Sequence, residues 1–192
     1  ILHTLARPSD SMFDQLWGLD NVGQAIVGHS GTADADIDAP EAWDLSTGSS
    51  SVVVGVLDTG VAYDHPDLEG QIATNPGESG GGRENNGADD DHNGFVDDWR
   101  GWDFVQQDNN PEDNYGHGTH VAGIAAGNGS ATANGFPAGR YVGIAPGAQL
   151  VIAQASLGMG MFSDSDVISA CKFIVDRAHD AGKPLALSLS LG

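Results

Sequence analysis

The chain has 192 residues, with 28 glycines, 27 acids against 7 Lys and Arg, and a formal net charge of -20. That length holds one sizeable domain, and the glycine share, roughly twice the usual one, demands many tight turns or close backbone approaches. The charge excludes nucleic acid, which needs clustered Lys and Arg, and an anionic membrane surface; no apolar stretch nears the roughly 20 residues that span a bilayer.

Residues 1–50 are polar and turn-rich, with apolar scraps at Phe13, Leu16, Trp17 and Leu19, and read as an arm packed on the domain. Ile1 to Asp10 show neither the charged start nor the apolar core of a signal peptide. Residues 51–57 are almost wholly apolar and β-branched, the pattern of a strand covered on both faces. Residues 64–116 form a long acidic insert whose apolar stretch, 101–105, predicts a short strand. A connection that long is functional or metal-organised. A small apolar helix is expected through Val121–Ala126, continuing from Gly-His-Gly-Thr-His, then a loop over 127–147 and a strand over 149–153. Residues 166–181 carry Val167, Ile168, Cys171, Ile174, Val175 and Ala178 at helical spacing, with Ser163 or Ser165 as cap and Gly182 followed by Pro184 as stop. Residues 185–191 predict a third strand. Strands alternating with helices mean α/β with a parallel sheet. The lone Cys171 excludes an internal disulfide framework.

Two segments carry chemistry. Asp58 ends the first buried strand, and active sites of doubly wound sheets gather at carboxyl ends of strands. A carboxylate there can orient a histidine and stabilise its cation. His117 lies between two glycines at a helix start, where no neighbouring side chain blocks a substrate. His120 follows three residues on and reads as a partly buried structural histidine; the zinc signature His-Glu-x-x-His needs four-residue spacing and a glutamate.

Together, Val-Leu-Asp-Thr-Gly-Val at 56–61, His-Pro-Asp-Leu at 65–68 and Gly-His-Gly-Thr-His-Val-Ala-Gly at 116–123 resemble the subtilisin-like serine proteases, the subtilases, with thermitase-like members among them. Asp-Ala-Pro-Glu-Ala-Trp at 38–43 is similar to the family's N-terminal helix and Gly-Ile-Ala-Pro-Gly-Ala at 143–148 to its lead into the next strand. The resemblance implies a doubly wound parallel sheet with helices on both faces, incomplete over residues 51–192, and a secreted endopeptidase in which Asp58 orients His117 as general base. The nucleophilic serine and an oxyanion-hole asparagine are expected from outside the chain, in a C-terminal remainder of the same domain or a separate chain, so that residues 1–192 alone would be inactive. Gly158, Met159 and Gly160 on one side, and Ser190, Leu191 and Gly192 on the other, look like the family's rims for an extended peptide substrate.

Asp89, Asp91, Asn93 and Asp97 alternate oxygen ligands, with Gly94 for the sharp turn, as in most of a calcium loop; Arg100 stands where an EF-hand places its bidentate glutamate. Ten acids between Glu84 and Asp113 lie beside Arg83 and Arg100, a crowding that repels without a cation. By resemblance, Asp103, Asp108 and Glu112 match a second calcium site, although Gln106 replaces an acid there, and Asp10 with Asp67 matches part of another.

Other readings fit less of the chain. Asp-Thr-Gly also occurs in pepsin-like proteases, which are all-β, and the Gly-x-Gly-x-x-Gly of a dinucleotide site is missing after the first strand. A rival from another class is a calcium-stabilised, non-catalytic subtilase-like module that binds peptides or a partner chain. It suits a segment with no nucleophile motif, whereas the presence of both Asp58 and His117 speaks for the enzyme.

Overall fold

The computed structural model describes residues 6–132, 135, 137–158 and 161–191. Its framework is a four-stranded, wholly parallel sheet. After a small antiparallel hairpin in the arm, β1 (Ala25–Ile26) and β2 (His29–Ser30), the sheet strands follow as β3 (Val53–Asp58), β4 (Trp102–Asp103), β5 (Gln149–Gln154) and β6 (Leu185–Leu189), in the spatial order β4-β5-β3-β6. β3 is flanked on both sides, Val53 lying opposite Gln149 of β5 and Leu185 of β6. A strand with neighbours on both edges and helices on both faces is almost wholly buried, with Val54 alone half-buried in β3, which is why its run is apolar.

The pleat sends alternate residues to two cores. Val53 and Leu57 of β3, with Val151 and Ala153 of β5, pack with Ala170, Phe173, Ile174 and Ala178 of α3 (Asp164–Asp180). Val56, Leu150 and Ile152 point the other way, onto Ala122 and Ala126 of α2 (His117–Ala126). The doubly wound architecture expected from the sequence is therefore observed.

The predicted runs and the observed elements differ at their ends. The 101–105 strand shortens to two residues. The 166–181 helix begins at Asp164, with Ser163 at the cap position but its hydroxyl paired to Ser165 Oγ at 2.7 Å rather than to the helix. Gly182 ends α3 at φ +63, and the bonds from Gly182 N to His179 O and from Lys183 N to Ala178 O, both 2.9 Å, close a Schellman stop. In the arm, α1 (Ala39–Leu45) occupies the stretch matched to an N-terminal helix, and Trp43 donates from Nε1 to Ile144 O at 2.8 Å.

The acidic insert is tied to the core by Leu68, Trp102 and Phe104, which are buried, and by Phe95, which packs against that core. Phe95 makes edge contacts with Trp102, Phe104 and Phe173, with ring centroids 5.0–5.7 Å apart. β6 lies at the end of the strand order, with Leu187 and Leu189 exposed. No described helix is long and apolar enough to cross a membrane.

Candidate active site

Neighbouring parallel strands release their loops at one end of the sheet, and β3 and β5 do so side by side: Ala155 N–H donates to Asp58 O at 2.9 Å. Asp58 is the last residue of β3 and is 1% exposed. His117 opens α2 and places Nδ1 2.6 Å from Asp58 Oδ1. A carboxylate only accepts here, so Nδ1 carries the proton and the lone pair sits on Nε2, at the opposite edge of a side chain that is 45% exposed. Thr59 N–H donates to the same Oδ1 at 2.7 Å. Asp58 Oδ2 is buried with no hydrogen-bond partner among the described residues, so the imidazole is the main relief for the carboxylate's charge.

Glycine at 118 makes the approach possible. A Cβ there would stand 2.2 Å from Gly60 O and 3.1 Å from Asp58 Cβ, so any side chain would push the helix start off the strand end. A second carboxylate fixes the loop ahead of the helix. Asp113 Oδ1 accepts from Thr59 Oγ1 (2.9 Å), Tyr115 N (3.0 Å) and Gly116 N (2.8 Å), while Oδ2 accepts from Thr119 N (2.8 Å) and Thr119 Oγ1 (2.6 Å). Thr59 Oγ1 in turn accepts from Gly118 N at 2.9 Å. Burial works to raise the Asp113 carboxyl, but the hydrogen bonds from Thr119, Gly116 and Tyr115 outweigh it and hold the group below the usual carboxylate range. Asp113, Thr59 and Gly118 were not singled out from the sequence. Asp113 looks there like any other acid of the insert, and its signal is its place just ahead of an uncapped helix start.

This arrangement, an acid at a strand end hydrogen-bonded to a histidine at a helix start, is what the sequence motifs imply. The subtilase family model (Peptidase S8) matches residues 49–192. The chain belongs to the subtilase family. Halolysin of Haloferax mediterranei is 36% identical over 165 residues, covering 83% of this chain and 25% of that protein. Thermitase of Thermoactinomyces vulgaris is 31% identical over 156 residues, covering 81% of this chain and 42% of that protein. Among solved structures, sphericase aligns with a TM-score of 0.52 at 30% identity over 77% of this chain and 39% of its own, and the S41 psychrophilic protease with 0.53 at 29% over 76% and 38%. The chain thus spans between a quarter and under half of the length of these relatives.

The remaining site residues fall as follows. Gly158 is buried beside Tyr115, Ser190 and Leu191 follow β6, and Met159, Gly160 and Gly192 lie outside the described residues. His120 is exposed, not partly buried, on the rim of a surface groove shared with His65, Gly123 and Tyr141.

In the insert, the acids whose oxygens converge are Glu78, Asp91 and Asp98, with ligand atoms within 4.8 Å of one another. Asp91 and Asn93 of the expected quartet belong to this neighbourhood, since Asn93 Nδ2 donates to Asp91 Oδ2 (3.3 Å) and Asp98 Oδ2 (3.2 Å). Asp89 instead caps the turn, accepting from the N–H groups of Asn93 and Gly94, and Asp97 turns away to the N–H groups of Asn86 and Gly87. Glu78 and Asp98 were missed: one precedes the loop by more than ten residues and the other adjoins the expected Asp97. Glu78 is fully buried, with Oε1 accepting from Asp90 and Asp91 N–H and Oε2 without a partner among the described residues. Burial pushes the Asp98 carboxyl up to about 6, against the pull of Arg177, Asn75 and Asn93. Two buried carboxylates, Glu78 and Asp98, with the exposed Asp91 form a hard-oxygen set that fits calcium.

Asp103 is buried and already satisfied by the N–H groups of Val105 and Gln106 and by Gln106 Nε2, so Gln106 fills with an amide the place where an acid was expected. Asp108 accepts from Asn110 N–H, and burial raises the Glu112 carboxyl with Arg100 opposing. Asp10 holds Met12 N–H within its own loop, and Asp67 accepts from Ala131 N–H of the loop that follows α2.

Proposed function

We propose that this chain is the acid-and-base half of a secreted, calcium-stabilised serine endopeptidase. Asp58 holds His117 in the tautomer that leaves Nε2 as proton acceptor. A serine hydroxyl from outside residues 1–192 delivers its proton to Nε2 as it attacks the peptide carbonyl; His117 then returns that proton to the leaving amine, and Asp58 stabilises the imidazolium in between without taking the proton. The oxyanion donors also come from that remainder, while the segments around Gly158 and Ser190–Leu191 flank the peptide. The observation that carries this reading is the 2.6 Å contact of His117 Nδ1 with the buried Asp58, on a side chain that stays 45% exposed.

Calcium would be held by Glu78, Asp91 and Asp98, with Asn75 and Asn93 able to turn their amide oxygens inward. It would supply positive charge to the acidic insert and no step of the reaction.

The test is casein hydrolysis by the complete protease. His117→Ala should abolish turnover and His120→Ala should leave it nearly intact. Turnover that survives His117→Ala but not His120→Ala would assign the base to the wrong histidine. Peptide binding without hydrolysis by the complete protein would favour the non-catalytic module.

A further inference from the structure

We propose that Tyr115 is a positioning residue: its ring, seated on Gly158, clamps the loop that carries His117 to the rim that follows β5. The proposal rests on reading His117 as the base and adds a device that keeps it in place.

Two loops leave the sheet side by side, and they are joined at the root where Ala155 N–H bonds to Asp58 O at 2.9 Å. They meet again at the tip. A Cβ at Gly158 would lie 2.5 Å from Tyr115 Cδ2, 2.7 Å from Cγ and 3.0 Å from Cε2, so the ring lies against a residue that has no room for a side chain. Gly158 has φ +107 and its N–H is held by Ser156 Oγ at 3.0 Å, which presents its bare face to the ring. On the other side, Tyr115 N–H is fixed by Asp113 at 3.0 Å. The contacts close a ring: Asp58 to His117, along the chain to Tyr115, across to Gly158, and back through Ala155 to Asp58. A rim that moves therefore moves the imidazole as well.

Tyr115 is 57% exposed, so its ring rests on Gly158 at the surface. Its loop already has its backbone anchors in Asp113, and the ring adds the link to Gly158.

The experiment uses the complete protease, with active sites counted by a serine-directed fluorophosphonate. Tyr115→Ala should lower kcat per titrated site by about ten- to a hundredfold, the size known for an ångström-scale misplacement of a reacting group, with KM changing much less. Tyr115→Phe should restore the parent rate, because the contact uses the ring and not the hydroxyl. Gly158→Ala approaches the same contact from the opposite side and should lower kcat as well, less so in the Tyr115→Ala background, where the ring it collides with is gone. An unchanged kcat per titrated site, a loss confined to KM, or strictly additive losses would each overturn the clamp. His117→Ala runs alongside: turnover in that variant would overturn the assignment of the base, a result separable from all of these.

Discussion

Asp113 touches no substrate in this account, yet it holds the loop from which His117 projects. Asp113→Ala removes five hydrogen bonds at once. The N–H groups of Tyr115 and Gly116 belong to exposed residues and find water, so their loss is small. Thr59 is buried and Thr119 half-buried, and each is left without its acceptor. Bonds to a charged group are worth about 1.5–3 kcal/mol each and a lost cap about 1 kcal/mol. Discounting for relaxation, the complete protease should lose about 2–4 kcal/mol, read as a lower urea midpoint with an unchanged m-value. Asp113→Asn should fare little better, because an amide nitrogen would face the Thr119 N–H donor now 2.8 Å from Oδ2. Turnover should fall in both variants, since the loop sets the place of His117. A loss below about 0.5 kcal/mol, the range of an ordinary surface substitution, would refute the claim that Asp113 organises the helix start.

Three further outcomes are expected. Because the Asp113 carboxyl is held below its unfolded value, its contribution is present above the ordinary carboxylate range and is lost as pH falls through the folded value; urea titrations of Asp113→Asn across acid pH should show a flatter acid-side decline than the parent. Gly118→Ala puts a Cβ 2.2 Å from Gly60 O, so the helix start must retreat by about 1 Å, and kcat should drop about a hundredfold while the fold persists, as measured by peptide kinetics and circular dichroism. Chelation should lower the melting temperature, by about 2.7 kcal/mol of stability where calcium stands at a hundred times its Kd, and Glu78→Gln should remove most of the difference; equal melting with and without chelator would contradict the calcium reading.

The strands and helices were legible because β3, β5 and α3 each carry a pattern that a single period explains. The contact between Asp58 and His117 was legible because both residues sit in short, glycine-bounded motifs. What was hidden depends on folding back. Glu78 meets Asp91 and Asp98 only once the insert coils, and the alternation at 89–97 does not tell which acids face inward; Asp97 and Asp98 are neighbours in sequence and part company in space. Phe95 gave no sign that it pins the insert on Phe173. The exposure of His120 was equally unreadable, because helical position fixes the face of a side chain and not what lies over it.

The most direct measurement of the central claim is kcat/KM for Asp58→Asn in the complete protease, paired with its melting temperature. An amide at 58 can turn its nitrogen toward Nδ1 and leave the proton on Nε2, so the base is disabled while the shape is kept. The account predicts a loss of about 10⁴ in turnover, the size known when the acid of such a triad is replaced, with nearly unchanged melting. Turnover within tenfold of the parent would mean that the 2.6 Å contact between Asp58 and His117 does not prepare the base.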